Sequence, residues 1–287
     1  MNQNRVNGTL LLLVILLGIL VWLSDRVPPE SANPSTPLTR LLPDQVSVIG
    51  IRNRSGPTFS MQRDGRGWRM TKPYAIAASD TRIRRLLEIA ASPVRSQFKP
   101  EQTDLSEFGL APPAALLYLD QLEIRIGGTD PINNYRYIGI GDNLYLIKDL
   151  FPHLLLAPAE SYVSPYILPQ NKELDLIETP EWQLVRVPES ARVWRLTPAV
   201  AGISIDRLNE KVDEWKYAQA LKVVKAPAGT PDYRIQIRVT GSDAALLFGI
   251  LRQKQGTLLM REDLGLAYDL PRIGALLTAP ALPAGEP

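Results

Sequence analysis

The sequence predicts an α+β protein in which an N-terminal transmembrane helix is followed by two tandem β-β-α-β-β-β-β repeats. Three observations carry that prediction. Residues 6–24 form an uncharged apolar run between Arg5 and Asp25. The phrase WRMTKP, beginning at Trp68, returns as WRLTPA at Trp194, 126 residues later. After each copy, the apolar pattern changes from strand-like alternation to helical spacing.

Residues 1–5 read as a short cytoplasmic tail and residues 6–24 as a signal anchor. At about 1.5 Å per residue the apolar run makes a helix of roughly 28 Å, close to the hydrocarbon thickness of a bilayer. Trp22 stands where an interfacial aromatic belongs. A cleaved signal peptide needs small residues at −3 and −1. With Ser24 or Ala32 at −1, the −3 residue is Trp22 or Glu30, and neither fits. The chain has no cysteine, which excludes a lipoprotein anchor. Arg5 on one side faces Arg26 and Arg40 on the other, so basic residues do not set the orientation. A short tail, a strong apolar run and a large following domain are the layout of an exported signal anchor. The expected location is therefore the bacterial inner membrane, held by residues 6–24, with the bulk of the chain in the periplasm.

Residues 25–43 are rich in proline and small polar residues and read as an extended spacer. The chain as a whole is 45% hydrophobic, and the residues beyond the spacer suffice for one large or two small cores. Lys+Arg 32 against Asp+Glu 30 leaves a net charge of +2 without a basic stripe, so nucleic acid is not an expected partner.

The first repeat spans residues 44–169 and the second 170–280, with 281–287 as a flexible tail. Residues 46–71 lie on residues 172–197 without a gap, matching Ile51 to Ile177, Phe59 to Val185 and Trp68 to Trp194. Each stretch reads as two strands, the tryptophan phrase ending the second. Trp68 and Trp194 are expected to pack between helix and sheet, and Pro73 and Pro198 to end the strands. A surface platform for sugars is the alternative use of such tryptophans. Asp80 and Asp206 then stand at the expected N-caps of two amphipathic helices. Four strands follow each helix, and the repeats close in HLLLAP from His153 and ALLTAP from Ala275.

Between the first helix and the next strand lies DLSEFGLAPP, residues 104–113. Asp104 and Glu107 have capping-box spacing, Gly109 can take the left-handed conformation that ends a helical turn, and Phe108 and Leu110 are apolar plugs. The same apolar pair would also serve as a partner-binding knob. The tryptophan phrase, the helix after it and this signature of Asp104, Leu105, Phe108, Gly109, Leu110 and Pro113 together resemble the bacterial family called domain of unknown function 4340. The resemblance covers the first repeat and, more loosely, the second, which lacks the signature. It implies a membrane-anchored protein, in some members associated with gliding-motility-type ABC transporters, and it brings no catalytic residues.

Chemistry-bearing motifs are sparse. His153 is the single histidine, expected to be partly buried and structural, and without cysteine a zinc site or thiol nucleophile has no ligands to draw on. No phosphate loop, dinucleotide fingerprint or nucleophile elbow occurs, and residues 127–134 read as a turn. The expectation is therefore no catalytic residue, no cofactor and no metal. Tyr135 and Tyr137 share one strand face, with Arg136 on the other and Tyr145 across a turn at Asp142 and Asn143; these residues are the candidate interaction surface, together with Phe108 and Leu110. The reading is a non-catalytic, membrane-anchored accessory subunit or scaffold with a membrane-protein partner. A module binding an envelope lipid or glycan would instead show a deep apolar or tyrosine-lined cleft between the repeats. A hydrolase would need two carboxylates facing each other across one.

Overall fold

The computed structural model describes residues 36–65, 67–99, 104–131, 133–188, 193–242, 244–254 and 256–282. The run 6–24 expected to form an anchor, most of the expected spacer 25–43 and residues 283–287 lie outside the described residues. Among the described residues no helix is long and apolar enough to cross a membrane.

Two antiparallel sheets make up most of the body, one of nine strands and one of eight. The first begins with β1 (Val48–Asn53), β2 (Phe59–Asp64) and β3 (Gly67–Lys72), a meander whose alternation places Ile49, Ile51, Phe59, Met61, Trp68 and Met70 in the core. The short β4 (Ile76–Ala77) adds to the edge of β3 before helix α1 (Asp80–Leu87). After it come β5 (Val94–Phe98), β6 (Ala115–Leu119), β7 (Leu122–Thr129), β8 (Tyr135–Ile140) and β9 (Asn143–Lys148), then the single-turn helix α2 (Pro152–Leu155). The strand order is β4-β3-β2-β1-β6-β7-β8-β9-β5.

The second sheet starts with β10 (Leu174–Glu178), β11 (Gln183–Arg186) and β12 (Trp194–Thr197), followed by helix α3 (Ile205–Lys216). Then come β13 (Lys222–Lys225), β14 (Tyr233–Val239), β15 (Leu246–Gln253), β16 (Gly256–Arg261) and β17 (Leu266–Asp269), and helix α4 (Ile273–Leu277). Its order, β12-β11-β10-β14-β15-β16-β17-β13, places elements in the same sequence as the first sheet without a partner for β4.

Three strands, not two, therefore precede α3, and three plus the short β4 precede α1; the tryptophan phrase lies in the third. In the first sheet Gly65, at φ +59, turns the chain so that Arg63 pairs with Trp68. In the second, the Val187 N–H donates to the Val193 carbonyl and closes the equivalent hairpin. A further strand follows each helix. β5 is a polar edge strand without regular alternation, buried on neither face, so its sequence carries no strand signal.

The helix starts also differ from expectation. Ser79 and Ser204 occupy the N-cap positions, and the Ser204 hydroxyl accepts from the Arg207 N–H. Asp80 is the first helical residue, and its carboxylate accepts from the Trp68 N–H at 2.9 Å, tying helix to strand. Asp206 lies in the first turn of α3, where its charge complements the helix dipole. Trp68 and Trp194 do pack in the core, each 7% exposed, and Pro73 and Pro198 follow their strands.

Residues 36–43 are docked on the body instead of forming an open spacer. Leu38 is buried, and the Leu38 and Thr39 N–H groups donate to the carbonyls of Ser92 and Ala90.

In each sheet the chain must travel from the edge strand that follows the helix to a central strand. Residues 104–114 and 226–232 lie on that path, on the face opposite the helix. The first crossover is held by the Gly128 N–H donating to the Phe108 carbonyl at 2.7 Å. A β-carbon on Gly109 would lie 2.7 Å from the Gly128 nitrogen, and one on Gly127 would lie 2.5 Å from the Phe108 oxygen. In the second, Pro231 covers Gly249, where a β-carbon would meet its ring at 2.5 Å. These glycines exist for close approach of backbone to backbone or ring. The inner faces of both sheets and the apolar stripes of α1 and α3 join one hydrophobic cluster that includes Ile83, Leu86, Val212 and Trp215.

Candidate functional site

The cleft lies where the sheets meet, and it begins with the connection between them. After the 3-10 turn at Ala159–Tyr162, the chain pairs first with one sheet and then with the other. The Ser79 N–H donates to the Tyr162 carbonyl and the Ser164 N–H to the Ala77 carbonyl, at the edge of β4. Pro165 has no N–H to continue that ladder. Its carbonyl instead accepts from the Ala220 N–H, and the Ile167 N–H donates to the Ala218 carbonyl. Residues 159–168 thus form a strap stitched to both sheets. Tyr162 is fully buried beneath it, packed against Phe59 at 5.3 Å, with its hydroxyl donating to the Leu154 carbonyl. Tyr74 donates to the Glu160 carboxylate, and burial together with that carboxylate raises the Tyr74 pKa.

Beside the strap opens a cleft of about 930 Å³. One wall is the edge of the first sheet with the start of α1, contributing Asp64, Arg69, residues 75–78 and Asp80. The strap supplies Tyr166, the residues just after it Gln170 and Asn171, and the facing wall Gln219, Leu246, Arg261 and Leu264. Arg261 sits on the inner face of β16, over the Phe248 ring at 5.5 Å, and donates two hydrogen bonds to Asp263. That bidentate pair holds the Asp263 carboxyl below its ordinary pKa. Gln170 is spent on the Leu168 and Lys216 carbonyls, and the Arg69 guanidinium reaches the Ala75 carbonyl. Asp64 and Asp80 make no ion pair among the described residues, and both are exposed. They belong to the same wall, so they do not face each other across the cleft.

The candidate surface is not brought together as one patch. Tyr137 pairs with Leu146 and Tyr135 with Lys148, on the outer face of the first sheet. Tyr145 pairs with Ile138 and faces inward, because the reversing residues are Gly141 and Asp142 and Asn143 already belongs to β9. Arg136 is committed to Asp149 at 2.6 Å and to the Gly127 carbonyl, with both charged side chains mostly buried. Phe108 rests edge-on against Tyr137 at 4.9 Å and near Phe98 at 5.9 Å, while Leu110 is buried over Gly127. The signature turn is thus the lid of a small outer core. Its Asp104 carboxylate accepts from the Ser106 N–H instead of building a capping box with Glu107, and that bond lowers the Asp104 pKa. His153 is exposed on α2, not partly buried. Among the described residues no three His, Asp or Glu side chains gather to hold a metal ion.

The cleft is built from segments distant in sequence, and none carries a motif. Its nearest signal is the run SPYILPQN at Ser164, whose prolines mark a boundary between repeats but not the walls on either side.

Fold and cleft define a class: an antiparallel α+β body of two sheets, strapped together around a shared cleft of mixed polarity. Comparison of the chain with protein-family models, curated proteins and solved structures finds no match.

Proposed function

We propose that the protein is a non-catalytic accessory subunit or scaffold, tethered in the bacterial inner membrane by residues 6–24 with its body in the periplasm, and that it grips a membrane-protein partner in the cleft between its two sheets. The single observation that carries the reading is the cleft itself. Its walls come from both sheets, and Arg261 and Gln170 are already held by internal bonds, while Asp64 and Asp80, which make no ion pair among the described residues, stand on one wall. Such a site is equipped to hold a surface but not to activate a nucleophile or share a proton between opposed groups. The shared strand order of the two sheets supports an internal duplication, in which the second copy has a shorter crossover and therefore no DLSEFGLAPP signature. The resemblance to domain of unknown function 4340 points to a transporter of the gliding-motility ABC type as the partner class.

The test is co-purification of the full-length protein from its native membrane in mild detergent, beside a version lacking the residues before Arg26. A stoichiometric membrane partner with the full chain is the expected result. Recovery of the protein alone, repeated after crosslinking, would sink the reading.

A further inference from the structure

We infer that β12, the edge of the second sheet away from the strap, takes up an extended apolar segment of the membrane-protein partner as an added antiparallel strand. This site is separate from the cleft and rests on the proposed function only for the existence of a partner.

The first sheet shows what such an edge requires. In β3 the N–H and carbonyl groups of Trp68 and Met70 point away from β2, and all four are met. Met70 pairs with Ile76 of β4, the Trp68 carbonyl accepts from the Ala78 N–H, and the Trp68 N–H donates to the Asp80 carboxylate. The Arg69 guanidinium also donates to the Ala75 carbonyl.

In the second sheet the Val187 N–H donates to the Val193 carbonyl, so by alternation Arg195 and Thr197 bond to β11 while Trp194 and Leu196 turn their N–H and carbonyl groups outward. No strand lies beyond β12, and none of those four groups has a partner among the described residues. Two sequence differences cause this. The connection 198–204, counterpart of the stretch that forms β4, turns back at Gly202, φ +78, with the Ile203 N–H donating to the Val200 carbonyl. The residue after the N-cap serine is Asp80 in the first half but Ile205 in the second, which offers the Trp194 N–H no acceptor and is 52% exposed. Leu282, 48% exposed, lies beside Gly202 and widens the apolar border. Unpaired edge groups beside apolar surface are a template for strand addition.

β4 supplies the occupant's chemistry: Ile76 packs against the core between the exposed Ala75 and Ala77. An apolar residue opposite Leu196, with small neighbours, fits the same place. Arg195, the counterpart of Arg69, is exposed and makes no ion pair among the described residues, so it is available to cap a carbonyl of the incoming segment. A second copy fits worse, because the two-fold register that uses all four groups sets Arg195 opposite Arg195.

The experiment starts with hydrogen exchange of the full-length protein in mild detergent, resolved to single residues by fragmentation in the mass spectrometer. The Trp194 and Leu196 amides should exchange at least about a hundredfold faster than those of Trp68 and Met70. A peptide copying residues 72–79, KPYAIAAS, is the probe. At saturation it should slow both amides about tenfold or more, and the same peptide carrying Ile76→Pro should not. In the protein, Ile205→Asp restores the acceptor of the first half at an exposed helix start. It should keep the thermal transition in place and weaken peptide binding about tenfold or more. In the native membrane, the photo-crosslinker p-benzoylphenylalanine at Thr197 should then give an adduct to an apolar stretch of the co-purifying partner, and none at the control position Leu247, 54% exposed. Amides as protected as those of Trp68 and Met70, no slowing by the peptide, undiminished binding in Ile205→Asp, or an adduct only to a second copy or to residues 283–287 overturns the inference. A partner that co-purifies with no adduct at Thr197 overturns it while leaving the subunit reading intact. No partner at all overturns both.

Discussion

Tyr162 and Tyr268 are both fully buried, yet only Tyr162 has a partner for its hydroxyl. An unpartnered buried hydroxyl is a standing cost, and a paired one leaves a carbonyl stranded when it is removed. Tyr162→Phe should therefore lower stability by about 1–2 kcal/mol, whereas Tyr268→Phe should be neutral or stabilising by about 1 kcal/mol, read from urea unfolding midpoints. The sign of the pH dependence follows from the same burial. Desolvation pushes the Tyr268 pKa up to about 12, so the folded protein holds that proton more tightly than the unfolded chain, whose tyrosine titrates near about 10. Stability is fully present below the unfolded value and falls as pH rises toward about 12. In Tyr268→Phe the fall between about pH 10 and 12 should be shallower; an unchanged slope would mean the ring is hydrated in solution.

At the scale of elements, the first crossover, at residues 104–114, depends on glycine for close approach of backbone to backbone. Gly109 combines a positive φ with a backbone contact that no side chain can share, and Gly127 lies under the Phe108 carbonyl. Gly109→Ala should cost at least about 2 kcal/mol in chemical denaturation, with Gly127→Ala similar. Gly56→Ala is the control: nothing lies within 4 Å of its added carbon, and the change should stay within about 0.5 kcal/mol. Equal effects at all three sites would contradict the close-approach account. The terminal helices show a related economy. In the first half, Asn53 donates to the Leu155 and Ala157 carbonyls; in the second, Trp182 donates to Leu277 and the buried Lys211 to Ala275. Different residues thus answer the same requirement, that carbonyls at a helix end find donors.

Across the whole molecule, one hydrophobic cluster and one strap join the sheets, so the two halves should not melt separately. Calorimetry should give a single transition whose measured enthalpy matches the van't Hoff value. Two resolved transitions would show that the halves fold as independent domains. The strap matters more than its length implies, because residues 163–167 exchange hydrogen bonds with residue 77 on one side and residues 218 and 220 on the other. The cleft exists only while both sets of bonds hold.

Much of this architecture is legible in the chain because it is local. Alternation at Ile49, Ile51, Phe59 and Met61 marks strands, helical spacing at Ile83, Leu86 and Leu87 marks α1, and the repeated tryptophan phrase marks equivalent core positions. Local pattern fails where a residue's partner is remote. β5 is polar and escapes notice, Asp80 looks like a cap although it serves Trp68, and Tyr145 looks like a neighbour of Tyr137 although the turn sends it to the opposite face. By itself the sequence determined the α+β class, the buried tryptophans and the scarcity of catalytic motifs, since these follow from residue type and spacing. Only the tertiary structure decided the shared strand order, the crossovers on the outer faces and the cleft between the sheets, because each depends on hydrogen bonds between segments that sequence separation does not reveal.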